Sequence, residues 1–251
     1  MTEESLIVTQ MPSHTSTQRT HKLPPKRAVV LLSGGLDSST TLYYALAGGW
    51  KCSALTFDYG QRHAREKKSA FMIARSAKVP ICEVRIQFPW KGSSLLDKHR
   101  AIPKHRPDSI GNNIPNTYVP ARNTIFLSFA LSYAETQHAS GIFIGANYID
   151  FSGYPDCRPD YFDAMQKVAR LGTKAGRQGR AIKIYTPLLR LNKAQIIRLA
   201  LQLKVPLELT WSCYNGRSKP CGYCDACLLR QRGFEKLGIR DPLLARDGHK
   251  P

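Results

Sequence analysis

Short apolar runs alternate with longer segments of helical period through most of this chain. Residues 28–32, 52–57, 81–86, 141–145 and 182–185 are strand-length apolar blocks. Between them, residues 37–47, 62–77, 123–137, 161–171 and 193–203 repeat their apolar positions at helical spacing. In the second helical segment Ala70, Phe71, Ile73, Ala74 and Ala77 are expected to form one apolar face. In the last, Ile196, Ile197, Leu199, Ala200 and Leu203 do the same. Strands that alternate with helices predict an α/β fold, a doubly wound parallel sheet covered on both faces. Residues 87–121 break the pattern with repeated Pro and Gly, and a loop of that length inside a compact domain is usually functional.

Ligands of such sheets sit beyond the carboxyl ends of the strands, near the point where strand order reverses. The first strand ends in Ser33-Gly34-Gly35-Leu36-Asp37-Ser38 and a helix follows. A glycine turn opening a helix presents backbone N–H groups and the positive end of the helix dipole, which suits an anion such as a nucleotide phosphate. The predicted nucleotide-binding stretch is Leu32, Ser33, Gly34, Gly35, Leu36, Asp37, Ser38, Ser39, Thr40, Thr41 and Leu42. No Gly-Lys-Ser/Thr ending follows, so this is not a Walker A loop. The bland alternative is an ordinary strand–helix turn. The second strand ends in Thr56-Phe57-Asp58-Tyr59-Gly60, at the same edge of the sheet.

Seven cysteines bear on compartment and on metal. Nothing at residues 1–5 has the basic and apolar regions of a secretory signal, and no run of about 18 apolar residues suggests a membrane span. The expected compartment is therefore the cytoplasm, where clustered thiols hold metal or stay reduced. Cys221, Cys224 and Cys227 follow a C-x-x-C-x-x-C spacing, and Cys213 is placed to fold back as a fourth sulfur. Four thiolates suit one closed, structural Zn²⁺ site, in a segment too polar to build its own core. An iron–sulfur cluster and reactive thiols are the alternatives. Cys157 stands apart from this set, and Cys52 and Cys82 fall in apolar runs as small core residues.

The 251 residues allow one α/β domain with a full core and a small appendage. The division expected is a flexible tail over 1–26, a nucleotide-binding domain over 27–208, a zinc-binding segment over 209–240 and a tail over 241–251. The formal net charge is +19. Ten Lys and Arg residues between 165 and 207, Lys193 among them, stand without a single Asp or Glu. That excess suits a nucleic-acid surface or an enzyme that attracts anionic substrates. No RNA-recognition signature accompanies it, so nucleic acid is not an expected partner.

The glycine turn resembles the Ser-Gly-Gly-x-Asp-Ser loop of ATP pyrophosphatases, which split ATP between its α and β phosphates. The blocks Ser33–Ser38, Thr56–His63, Ile114–Asn123, Asp150–Pro159, Thr186–Leu188, the cysteine cluster and Leu228–Arg230 occur in one order. Together they resemble the 7-cyano-7-deazaguanine synthase family of queuosine and archaeosine biosynthesis, from about residue 27 to about 238. The resemblance implies an adenine-nucleotide α-hydrolase fold with a zinc-bearing C-terminal part. It implies conversion of 7-carboxy-7-deazaguanine, ammonia and ATP, with Mg²⁺, to the 7-cyano base through an activated carboxylate and an amide. A homodimer is implied as well.

On that reading Ser33, Asp37, Ser38, Arg122 and Asp156 are the catalytic candidates. Backbone N–H groups from Gly34 to Ser39 and the Ser33 and Ser38 hydroxyls would hold the departing phosphates. Asp37 suits either capping of its helix or Mg²⁺. Arg122 and Asn123 would meet phosphate or the substrate carboxylate, unless they only begin a helix. Asp156 would accept from a guanine-like N1–H and amino group, with Tyr154 stacking, unless Asp156 is only a turn residue. His63 reads as a solvated helix residue. Ile149 and Gln195 stand where relatives often carry Glu; the first is expected to alter substrate contacts and the second a helix surface. Competing readings are a tRNA-modifying pyrophosphatase-loop enzyme, a zinc-stabilised nucleotide sensor without turnover, and a deazapurine-pathway relative that modifies protein.

Overall fold

The computed structural model describes residues 26–60, 64–90, 92–97, 99, 114–149, 153–215 and 219–246. Five parallel strands form one sheet in the order β3-β2-β1-β4-β5. They are β1 (Arg27–Leu31), β2 (Lys51–Asp58), β3 (Ile81–Arg85), β4 (Gly141–Phe143) and β5 (Lys183–Tyr185). The helices between them are α1 (Leu36–Ala47), α2 (Ala64–Ser76), α3 (Arg122–Thr136), α4 (Pro159–Gly172) and the single turn α5 (Lys174–Arg177). After β5 come α6 (Lys193–Gln202), α7 (Asp225–Glu235) and α8 (Pro242–Arg246). The five expected strands and five expected helices are all present, with ends shifted by one or two residues.

Alternation along the strands divides the core into two layers. Ala28, Val30 and Leu32 pack with Leu42 and Ala45 of α1 and with Ala70, Ile73 and Ala74 of α2. Val29 and Leu31 face the other way, onto Leu127, Ala130 and Ala134 of α3 and onto Phe162, Met165 and Ala169 of α4. Buried aliphatic and aromatic side chains of this kind each contribute about 1.5–3 kcal/mol. Phe71 departs from its expected place in the α2 face, being 40 % exposed. It lies about 100° round the helix from Ala70, outside the stripe that 70, 73, 74 and 77 share.

A third apolar cluster joins α6 to α7 through Ile196, Ile197, Ala200 and Phe234, and reaches Leu36 at the start of α1. A fourth gathers the cysteines with Trp211 and Leu243. The helix α7 was not expected from the sequence. It starts inside the cysteine triplet, with Cys224 at its N-cap. Asn192 caps α6 by accepting from the Gln195 N–H at 3.0 Å, and the Gln195 side chain accepts the Asn192 N–H at 2.9 Å. Gln195 therefore fills the N3 position of a capping box. Among the described residues no helix is long and apolar enough to cross a membrane.

Candidate active site

Strand order reverses between β1 and β4, and the glycine turn leaves the sheet at that point. Gly34 takes φ +86°, a left-handed conformation that side chains disfavour. A Cβ there would lie 2.5 Å from the Glu66 carbonyl oxygen and 2.8 Å from the Ser69 carbonyl carbon, so the turn sits directly on the backbone of α2. On the β4 side, a Cβ at Gly145 would lie 2.9 Å from the Ser38 nitrogen. Two glycines thus let α1 enter between its neighbours. The Ser33 N–H donates to Ser38 Oγ at 3.2 Å, the two hydroxyls lie 3.0 Å apart, and the Gly35 N–H donates to Ser33 Oγ at 3.3 Å. The Ser39 N–H is committed to the Gly35 carbonyl at 3.0 Å, the first bond of the helix ladder. The first-turn amides of Leu36, Asp37 and Ser38 are those a helix cannot satisfy from within.

The turn forms one wall of a cavity of about 250 Å³ that runs along the carboxyl ends of β1, β2 and β4. Asp37 and Lys193 meet in it: Lys193 Nζ donates to both Asp37 carboxylate oxygens at 2.8 Å. Lys193 belongs to the basic stretch read above as suiting a nucleic-acid surface or anionic substrates, and it is only 8 % exposed. It begins α6, and Gly233 of α7 leaves the room its stem requires, since a Cβ on Gly233 would come 2.8 Å from Lys193 Cγ. Gly35 holds the N-cap position of α1 without a side-chain cap bond, so the Asp37 carboxylate does not cap its helix and binds an ammonium instead.

Arg122 opens α3 behind Ala121, whose φ is +54°. Its guanidinium faces Tyr59, Tyr154, Asp156 and Cys157; burial works against its charge, and these neighbours outweigh that and hold it cationic. Burial pushes the hydroxyls of Tyr59, Tyr154 and Tyr214 up from the ordinary tyrosine range, and the Cys157 thiol up to about 12. Glu66 lines the same cavity. Burial raises its carboxyl, against the lowering influence of Arg122 and of a hydrogen bond from the Ser33 hydroxyl.

Asp156 is buried and lies outside the cavity lining. Its Oδ2 accepts the Asn123 N–H at 3.0 Å, and its carbonyl accepts from Asn123 Nδ2 at 2.9 Å. It therefore caps the start of α3 from a distance, rather than facing a base in the cavity. Asn123 is not the cap of α3, because Ala121 holds that position. Tyr154 does line the cavity, its hydroxyl 2.8 Å from Thr117 Oγ1. Ile149 is half exposed. His63, with Asp150, falls outside the described residues.

The Sγ atoms of Cys213, Cys221, Cys224 and Cys227 lie within 4.8 Å of one another, Cys221 and Cys227 at 4.0 Å. Sulfurs about 2.3 Å from one tetrahedral ion require nearly this spacing. The Asn215 and Cys221 N–H groups donate to Cys213 Sγ at 3.3 Å each, and the Cys224 N–H donates to Cys221 Sγ at 3.4 Å, as suits thiolates. The four side chains fit a metal, and Cys157 is not among them. Trp211 joins this cluster to the glycine turn: its indole N–H donates to the Cys213 carbonyl at 3.0 Å and its backbone N–H to the Gly34 carbonyl at 2.9 Å.

The structure brings Ser33, Asp37, Ser38 and Arg122 to one cavity and adds Glu66, Lys193, Trp211 and Arg230. Sequence reasoning missed these four. The helical segment 193–203 placed Lys193 on a first turn, but no local signal pointed its side chain across to Asp37. Arg230 donates to Asp241, Thr210, Ser212 and the Leu207 carbonyl, a set drawn from 35 residues of chain that meet only on folding.

A family model described as "Queuosine biosynthesis protein QueC" matches residues 27–238. A curated relative named 7-cyano-7-deazaguanine synthase from Trichormus variabilis is 56 % identical over 221 residues, covering 86 % of this chain and 97 % of its own. One of the same name from Picrophilus torridus is 52 % identical over 221 residues, covering 88 % and 92 %. Among solved structures, the NMN synthetase of Francisella tularensis is similar at a TM-score of 0.46 and 16 % identity, over 91 % of this chain and 79 % of that one.

Proposed function

This chain belongs to the queuosine biosynthesis protein QueC family and is an ATP-dependent ligase of that pathway, and we propose how its residues divide the work. The substrate is 7-carboxy-7-deazaguanine, which the cavity joins to ammonia to give the 7-cyano base. A carboxylate does not yield hydroxide to an amine at neutral pH, so it is first activated as an acyl phosphate ester. We assign cleavage between the α and β phosphates, on the resemblance of the glycine turn to pyrophosphatase loops.

The observation that carries this reading is the glycine turn itself, opening α1 into the cavity at the switch point of the sheet. The first-turn amides and the Ser33 and Ser38 hydroxyls hold phosphate oxygens, helped by the dipole of α1. Lys193 opposes the charge that develops on the leaving group, from a position already inside the cavity. Mg²⁺, arriving with the nucleotide, would neutralise phosphate charge, and the Asp37 carboxylate on the first turn of α1 is the group that would hold it. Arg122 takes the substrate carboxylate, while Tyr59, Tyr154 and Trp211 supply flat apolar surface for a deazapurine. Asp156 acts as a positioning residue through the start of α3.

The four cysteines hold zinc in a structural role, a closed set with no ligand position left for chemistry. None of the seven cysteines is in a disulfide, which is compatible with a reducing, cytoplasmic setting. The homodimer rests on the family resemblance and on Val168 and Leu171, which expose apolar surface one turn apart on α4.

Purified protein with Mg-ATP, ammonium and 7-carboxy-7-deazaguanine is expected to form the nitrile, read by mass, with AMP as the nucleotide product. ATP turnover that does not depend on the acid would overturn the reading.

A further inference from the structure

Two carboxylates line the cavity, and their partners differ in kind. Asp37 is gripped by both its oxygens in the Lys193 ammonium. Glu66 accepts instead from the neutral hydroxyl of Ser33, the residue that opens the glycine turn. A Cβ on Gly34 would lie 2.5 Å from the Glu66 backbone carbonyl oxygen, so this turn of α2 packs against the glycine turn, and Glu66 itself lines the cavity. The groups that face it come from four directions: Ser33 from the turn, Arg122 from α3, Tyr59 from the end of β2, and Tyr214 from the approach to the cysteines. The function proposed above gives Glu66 no role, yet that reaction releases protons within this cavity.

We propose that Glu66 is the proton acceptor for the nitrogen, in amide formation and again in nitrile formation. This rests on the ligase reading. In the first step the lone pair of ammonia forms a bond to the acyl carbon. The nitrogen, now cationic, loses one proton to Glu66. The C–O bond to the nucleotide phosphate then breaks, and its electron pair leaves with AMP. In the second step the amide oxygen displaces pyrophosphate from a second ATP. The nitrogen loses its two protons in turn, the C–N double bond becomes triple, and the C–O pair again departs with AMP. The carboxylate returns each proton to solvent before it takes the next.

Glu66 has the environment such a role requires. Its burial raises its proton affinity above that of an ordinary surface glutamate, while Arg122 and the Ser33 hydroxyl keep an ionised form accessible. The position beside Ser33 places it where the acyl carbon must lie if the turn holds the adjoining phosphate.

The test separates activation from nitrogen attack in Glu66→Gln, whose amide oxygen can still accept from Ser33. Acid-dependent exchange of labelled pyrophosphate into ATP, run without ammonia, reads activation alone and is expected within about threefold of wild type. Amide formation from ammonium is expected to fall about 100-fold. Its rise with pH through the Glu66 titration is expected to disappear. Hydroxylamine, largely unprotonated at neutral pH, is expected to restore the variant to within about tenfold of wild type, which a merely structural defect would not allow. Equal losses of exchange and amide formation, or an amide rate like wild type, would overturn the proposal. Absence of exchange in the wild type would remove the ligase reading itself. Should Glu66→Gln not fold, Glu66→Asp reads the same split, with about a tenfold loss expected in the amide step only.

Discussion

Trp211 donates its backbone N–H to the carbonyl of Gly34 at 2.9 Å, while its indole N–H holds the carbonyl of Cys213. One residue thus ties the cysteine cluster to the turn that opens α1. Removal of the metal is therefore expected to disturb the nucleotide as well as the fold. Cys224→Ser should lower bound zinc, measured by atomic emission, and raise the KM for ATP under conditions where the protein stays folded by circular dichroism. An unchanged metal content would refute the cluster assignment.

Gly34→Ala tests the seat of the turn. A methyl group there meets backbone atoms of α2 and forces a left-handed residue to carry a Cβ. Left-handed strain alone costs of order 1–3 kcal/mol, and the backbone contact adds to it. The expected result is a lower Tm together with loss of ATP binding by calorimetry.

Lys193→Met removes the ammonium and leaves Asp37 without a charge-assisted pair worth about 1.5–3 kcal/mol. The kcat/KM for ATP is expected to fall about 100-fold, the loss typical of one transition-state donor. Substitution of Arg198, an exposed cation on the same helix, is the comparison and should leave the rate unchanged.

Asp156→Ala is expected to loosen the first turn of α3, because its carboxylate accepts the Asn123 N–H. Loss of a cap costs about 0.5–2 kcal/mol. Arg122 sits on that turn, so the KM for the deazapurine acid should rise more than the KM for ATP, as steady-state titration of each substrate would read.

Glu66 also links stability to pH. Burial raises its folded-state value above the ordinary 4.5, so the native protein binds this proton more tightly than the unfolded chain does. Stability from this group is then fully present below 4.5 and is lost as pH rises through the folded value. Glu66→Gln is expected to raise Tm at neutral pH and to match wild type in acid. A thermal melt series across pH reads this directly.

The regular elements were legible because each buries a face that repeats at its own period. Val29 and Val30 alternate between layers, and Ile196 and Ile197 share one helical stripe. Phe71 was misplaced because a stripe's edge depends on which neighbours cover it. The helix α7 was hidden because cysteine spacing masks helical period there. The meeting of the four cysteines that could hold a metal was legible, since four sulfurs within 15 residues can meet through local chain reversal.

The chain by itself determined the alternating strands and helices, the glycine turn at a strand end and the cysteine quartet. Each depends on residues close in sequence, where spacing alone limits what the backbone can do. Only the tertiary structure decided that Lys193 reaches Asp37 across 156 positions, that Glu66 stands over Ser33, and that Asp156 serves the start of α3 instead of the cavity. Such pairings are set by how helices from distant segments pack against one sheet, and a side chain's partner there depends on that packing geometry, for which local sequence carries no signal.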